Sequence, residues 1–314
     1  MHLVALVNMD IKRSTSDIWR IIDKVDWTDQ SFSSDKAYLC VLLSKLTYNE
    51  IPDYELKGRK RINVIPSYDY RELIKKGSSS KVTTILQNSD FGNVFTIFRK
   101  YAVIIGVRTK KVTFIAIRGT KYLYDWKINL NLFKQKLNVF SKVVEFHKGF
   151  YRAISECFQD IITNVSDDIK NNIPIYITGH SLGGALSSIL NCLWDLLIYS
   201  RYRYYYLWNT QRAPSCYTFG MPRYGDRNAV SLFSNPIHIY NSDDIIPQIP
   251  SRFMGYENSS IEFLLNDNLT KTNIRENHTL RNLIRVFPLM YGIKYHSIDH
   301  YEVLLNNIVK INGN

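Results

Sequence analysis

The chain has 314 residues, 45% hydrophobic and 22% charged, which is enough apolar material for one large α/β domain or two small ones. It contains no run of eighteen apolar residues, so no membrane-spanning helix is expected. A formal charge of +12 suits nucleic acid, anionic membrane or acidic substrate equally and selects none of them.

In chain order, "MHLVALVNMDIKRS" carries a short apolar patch and an early aspartate, too little for the hydrophobic part of a secretory signal. Cys40, Cys157, Cys192 and Cys216 are scattered through apolar segments and read as reduced thiols, not as a disulfide framework or zinc site. Sequons at Asn164, Asn258, Asn268 and Asn277 read as chance in an asparagine-rich chain. Together these features predict an intracellular protein, cytoplasmic or peripheral to a membrane. Residues 1–35 read as an N-terminal extension with a short helix in "TSDIWRIIDKV"; a domain over 36–314 follows.

"DKAYLCVLLSKLTYNE" has helical spacing, with Asp35 placed to cap it. Residues 50–90 are polar and mixed, and "KGRKR" at 57–61 reads as a solvated loop. "AVIIGVRTKKVTFIAIRGT" gives two strands around a short basic turn. Between residues 130 and 140, Leu130, Leu132, Phe133, Leu137 and Phe140 recur among lysines and asparagines at spacings close to one helical face. "GFYRAISECFQDIITNV" has the helical period. A strand then runs from Ile173 to Thr178, and "ALSSILNCLWDLLIYS" reads as a buried helix. The following "RYRYYYLW" suits packing along the core edge better than stacking on bases. "SCYTFG" and "IHIYN" are further strands, and "DHYEVLLNNIV" closes the chain as a helix. Strands alternating with helices predict an α/β fold, a mostly parallel central sheet with helices on both faces.

Gly179-His180-Ser181-Leu182-Gly183 fits the G-x-S-x-G pattern, in which a serine sits on a tight strand-to-helix turn among small residues. A bare match occurs in about one chain in ten of this length. Here the strand before it, the apolar helix behind it and the extra Gly184 supply the discriminating context. A nucleophilic serine needs a base and an acid to orient that base. Asp243 and Asp244 sit just past the strand "IHIYN", where α/β sheets place their chemistry. His278, His296 and His300 come late enough to be the base, with His296 in a loop before the final helix and His300 inside it.

With these residues in view, the chain resembles the class 3 lipases, the fungal-lipase-like branch of the α/β hydrolases. The resemblance rests on "RGT" at 118–120, "DW" at 125–126, "HKGF" at 147–150, "GHSLGG", "YTFGMPRYGD" at 217–226, "NSDDIIPQIP" and "HSIDHY". These segments stand in the family's order across 101–301. The resemblance implies an α/β-hydrolase fold with Ser181 as nucleophile, Asp244 as acid and His296 as base, Asp243 and His300 being their understudies. Backbone donors at Thr120 and Leu182 would form the oxyanion hole. The implied activity is hydrolysis of lipid carboxylic esters, of tri- or diacylglycerol or of phospholipid, at a membrane or droplet surface, with peripheral membrane contact. No metal, cofactor or nucleic-acid partner is expected. The resemblance also makes residues 121–141 a lid, an amphipathic helix over the site. An acyltransferase with the same triad and an inactive lipid-binding relative are the alternatives.

Overall fold

A computed structural model of the chain describes residues 16–48, 86, 93–99, 101–119, 133–139, 141–202, 213–233, 236–272 and 295–312, with backbone alone for 198–202 and 312. Helix α1 occupies residues 16–24 and α2 spans Ser34–Thr47. Strands β1 (Asn93–Arg99), β2 (Ala102–Arg108) and β3 (Thr113–Ile117) follow, then β4 (Lys134–Val139) and β5 (Lys142–His147). Helices α3 (Lys148–Asn164) and α4 (Ser166–Lys170) lead to β6 (Ile175–His180) and α5 (Leu182–Tyr202). The rest comprises β7 (Ser215–Phe219), α6 (Arg227–Leu232), β8 (Ile237–Tyr240), β9 (Ile261–Leu265), β10 (Leu269–Thr272) and α7 (Ile298–Asn312).

Eight of the described strands form one sheet in the order β1-β2-β3-β6-β7-β8-β9-β10. The central run from β3 to β9 is parallel, and antiparallel pairs close both edges. The period-two alternation of strand side chains sends neighbouring residues to opposite faces. In β3, Phe114 and Ala116 join one core while Ile115 and Ile117 join the other; Tyr176 and Ile177 divide in the same way in β6. The first face is covered by α2 and α7, the second by α3 and α5. Each fully buried Ile or Phe on these faces contributes about 1.5–3 kcal/mol.

Helix α2 lies largely inside, and ten of its side chains from Lys36 to Leu46 are buried. Its N-cap is Ser33, whose Oγ accepts from the Lys36 N–H at 3.1 Å. Asp35, the expected cap, instead occupies the first turn, where a carboxylate still favours the helix dipole. Within the segment expected as an N-terminal extension, Ile18, Ile21, Ile22 and Trp27 are buried in the first core. The Trp27 ring meets Phe114 and Tyr176 edge-on at 5.1 and 5.0 Å, so this segment seals the strands below it.

The stretch predicted as an amphipathic helix over 130–140 is different. Its described part forms β4, paired antiparallel with β5 from Lys134↔His147 to Val139↔Lys142. Leu137 suits a helical face and an alternating strand equally well, and the β-branched Val143 and Val144 across the ladder decide between them. Residues 121–132 and 140, the rest of the expected lid, lie outside the described residues. Strands β1, β9 and β10 fall in stretches without a predicted element. β1 and β10 are edge strands, whose mixed exposure blurs the period.

Candidate active site

The strand β6 ends at His180 and α5 begins at Leu182, leaving a single residue for the reversal. Ser181 makes it with φ of 58°, a left-handed conformation that costs a side-chain-bearing residue energy and persists when the surroundings over-determine it. They do so here through close approach of backbone. A Cβ on Gly179 would lie 2.3 Å from the Gly183 carbonyl oxygen, and one on Gly183 would lie 2.1 Å from that of Ile117. Ser181 N–H donates to the Phe219 carbonyl at 2.9 Å, which ties the turn to β7.

Ser181 Oγ stands 2.8 Å from Nε2 of His296, and Nδ1 of His296 stands 2.7 Å from Oδ2 of Asp244. The carboxylate can only accept, so Nδ1 carries the proton and Nε2 is left to accept from the serine hydroxyl. All three residues are buried, Ser181 and Asp244 at 1% exposure and His296 at 3%. Residues more than fifty positions apart thus meet at the carboxyl ends of parallel strands, the position open α/β sheets reserve for ligands.

Asp244 follows the end of β8, and its N–H donates to the Asn241 carbonyl at 3.2 Å. Its Oδ1 accepts from the Ile246 N–H at 2.9 Å, and Oδ2 accepts from the Tyr301 hydroxyl at 2.7 Å as well as from His296. The Tyr301 oxygen in turn accepts from the Asn241 N–H at 3.1 Å. Tyr301 therefore clamps the acid from α7; its spacing of five residues after His296 was visible in "HSIDHY", but its target was not. The two understudies meet this chain of bonds only through Asn241. Asp243 is exposed at the turn, with its N–H on the Asn241 side chain, and His300 meets Asn241 through Nε2 at 3.3 Å.

Of the expected oxyanion donors, Leu182 opens α5, where helix geometry leaves its N–H without an intrahelical acceptor. Thr120 lies outside the described residues, one position beyond the buried Gly119. A further residue enters that the sequence pattern left aside. His180 is buried, and burial followed by the nearby His296 holds its imidazole well below the usual histidine range, so it is neutral. Its Nε2 bonds the His296 carbonyl oxygen at 2.8 Å and its Nδ1 the Tyr48 hydroxyl at 2.7 Å. All four cysteines are free and buried.

Strand order, elbow and helical layers define the α/β-hydrolase fold. A lipase from Rhizopus microsporus var. chinensis shares it at a TM-score of 0.53 and 18% identity, covering 79% of this chain and 93% of that one. Residues 114–254 match the family described as Lipase (class 3). One relative is a secreted mono- and diacylglycerol lipase of Fusarium solani, 27% identical over 166 residues, with 50% of this chain and 44% of that protein covered. Another, from Malassezia globosa, is also a secreted mono- and diacylglycerol lipase, 28% identical over 162 residues, with 46% and 49% covered. The chain thus spans about half the length of either relative. The intracellular location expected from the sequence is overturned by these relatives, both of which are secreted.

Proposed function

We propose that the chain hydrolyses carboxylic esters of lipids through an acyl-enzyme on Ser181. In this reading Ser181 Oγ attacks the ester carbonyl as His296 Nε2 takes its proton, and Asp244 stabilises the resulting imidazolium. The tetrahedral oxyanion is met by the N–H groups of Leu182 and Thr120, one such donor being worth roughly 3 kcal/mol of barrier. His296 returns the proton to the departing alcohol, and a water activated by the same nitrogen releases the acid. The observation that carries this is the unbroken run of 2.8 and 2.7 Å contacts from a left-handed serine to a buried carboxylate. Mono- and diacylglycerols, the substrates named for two relatives, are the first esters to try.

The same reading includes contact with a lipid surface. Phe253 is 90% exposed on a tight turn with Met254, and Phe133 is 70% exposed at the start of β4. Lys134 Nζ donates to the Gly255 carbonyl at 2.9 Å, which joins the two segments. Arg252 precedes Phe253, and Lys148 reaches Phe133 through its N–H, which donates to the Phe133 carbonyl at 2.9 Å; both cations are solvent-accessible, a pairing of apolar tips and cations that favours anionic lipid. The experiment is fluorophosphonate labelling and ester hydrolysis by the full chain and by Ser181→Ala. Loss of the nucleophile is expected to abolish labelling and lower turnover by about 10⁶. Labelling that persists on another serine refutes the assignment.

A further inference from the structure

Both sides of the candidate site lean on one pair of buried side chains outside the Ser181–His296–Asp244 chain. The His296 carbonyl can only accept, so His180 Nε2 carries a proton and donates to it at 2.8 Å. In the neutral ring Nδ1 is then an acceptor, and the Tyr48 hydroxyl donates to it at 2.7 Å. The Tyr48 oxygen also packs against the backbone of Gly119, two residues past the end of β3. The contact is so close that a Cβ on Gly119 would lie 2.2 Å from that oxygen, 2.6 Å from the His180 carbonyl and 3.2 Å from the Ser181 Cβ.

A packing contact and two hydrogen bonds form one line: Gly119 backbone, Tyr48 hydroxyl, His180 imidazole, His296 carbonyl. Its first end lies one residue before Thr120, the proposed oxyanion donor, and its second end is the backbone of the proposed base. We infer that Tyr48 and His180 are positioning residues, a relay that sets the spacing between the oxyanion end of β3 and the base loop across Ser181. The inference rests on the proposed hydrolase reading of this site.

Two physical points support it. Each half of the site is on a different element, β3 and the turn before α7, with no backbone pairing between those two elements to fix their separation. The relay also supplies a fixed tautomer. The His180 and His296 rings are 4.7 Å apart, so a charged His180 would oppose the imidazolium that forms on His296 during the reaction. With Nδ1 occupied by the tyrosine hydroxyl and Nε2–H by the carbonyl, the ring has no use for a second proton. Its burial adds to the same effect.

The test uses Tyr48→Phe, His180→Leu and His180→Gln in the full chain. It measures kcat and KM on a soluble p-nitrophenyl butyrate, the rate of fluorophosphonate labelling, and the thermal midpoint. A lost hydrogen bond in Tyr48→Phe is expected to lower kcat and the labelling rate by about tenfold, and His180→Leu by about 10²-fold, with KM within about twofold of the parent. His180→Gln presents an amide N–H towards the His296 carbonyl and should recover most of what His180→Leu loses. The relay is overturned if Tyr48→Phe and His180→Leu keep the parental kcat. It is also overturned if glutamine rescues nothing, or if each loss simply follows a fall in thermal midpoint. Should His180→Leu fail to fold, Tyr48→Phe decides alone. A wild-type chain that neither labels nor hydrolyses would remove the hydrolase reading and the relay with it, whereas an active parent with unaffected variants removes only the relay.

Discussion

Two regions of the molecule handle polar and apolar groups in opposite ways. Around Ser181, polar side chains are buried and bonded to one another: Asp244 takes three donors, and His180 is held at both nitrogens. Around Gly255 the apolar side chains face out, Phe253 and Phe133 above all, while Lys134 folds back on Glu145 and the Gly255 carbonyl. Buried hydrogen-bonded networks are costly to disturb because each unpaired group pays its full desolvation. Exposed rings carry no such penalty, so the first region is suited to keeping a geometry and the second to meeting a partner surface.

The buried region is most sensitive at the base. His296→Ala should lower ester turnover by about 10⁶, as expected for a group acting as one unit with the serine, while His300→Ala should leave most of it. Steady-state kinetics on a soluble ester decide this, and the reverse ranking would move the base into α7. Next comes the acid. Asp244→Asn should cost about 10⁴ in kcat by upsetting the His296 tautomer, and Asp243→Asn at the exposed turn should cost little. Tyr301→Phe removes one of three donors to Asp244 and should lower kcat by about tenfold, with unfolding measured alongside.

In the exposed region the expected effects are smaller and of another kind. Phe253→Ser with Phe133→Ser should reduce binding to anionic vesicles and hydrolysis of aggregated ester by about tenfold at low salt, leaving a soluble short-chain ester unaffected. Equal losses on both substrates would deny the surface its role. The least effect belongs to His147, at the junction of β5 and α3. Its Nδ1 accepts the Phe150 N–H at 3.3 Å, and burial pushes its pKa down to about 4 from the usual 6.5. The unfolded chain therefore binds a proton here between those values and the folded chain does not. Stability from this group is complete above pH 6.5 and is lost as pH falls towards 4. Urea midpoints across that window should slope less in His147→Asn, which retains a capping side chain.

Much of this was legible from local pattern. The hairpin of β2 and β3, the helices α2, α3 and α5 and the strand into Ser181 follow from hydrophobic period and glycine placement, because each is specified by residues close in sequence. So are the positions of Asp244 and His296 just outside regular elements. The β4–β5 hairpin was misread because Leu137 serves both periods and only the partner strand chooses. Tyr48 was unreadable for a stronger reason: it meets His180 across 132 positions, and nothing in "SKLTYNE" marks a tyrosine that bonds an imidazole. His180 was in plain view inside the elbow, yet its bond to a backbone carbonyl leaves no mark on sequence.

The family match runs from 114 to 254, and its limits cut through the machinery. A protein fragment trimmed to that stretch would retain Ser181 and Asp244 but part with His296, Tyr301, Tyr48 and the whole of α2 and α7. Phe114, Tyr176 and Tyr217, now sealed beneath Trp27 and α2, would become a bare aromatic wall inviting aggregation. Anyone choosing cloning boundaries should therefore begin upstream of the α1 helix and continue through α7, because the recognisable portion of this chain is smaller than its folding unit.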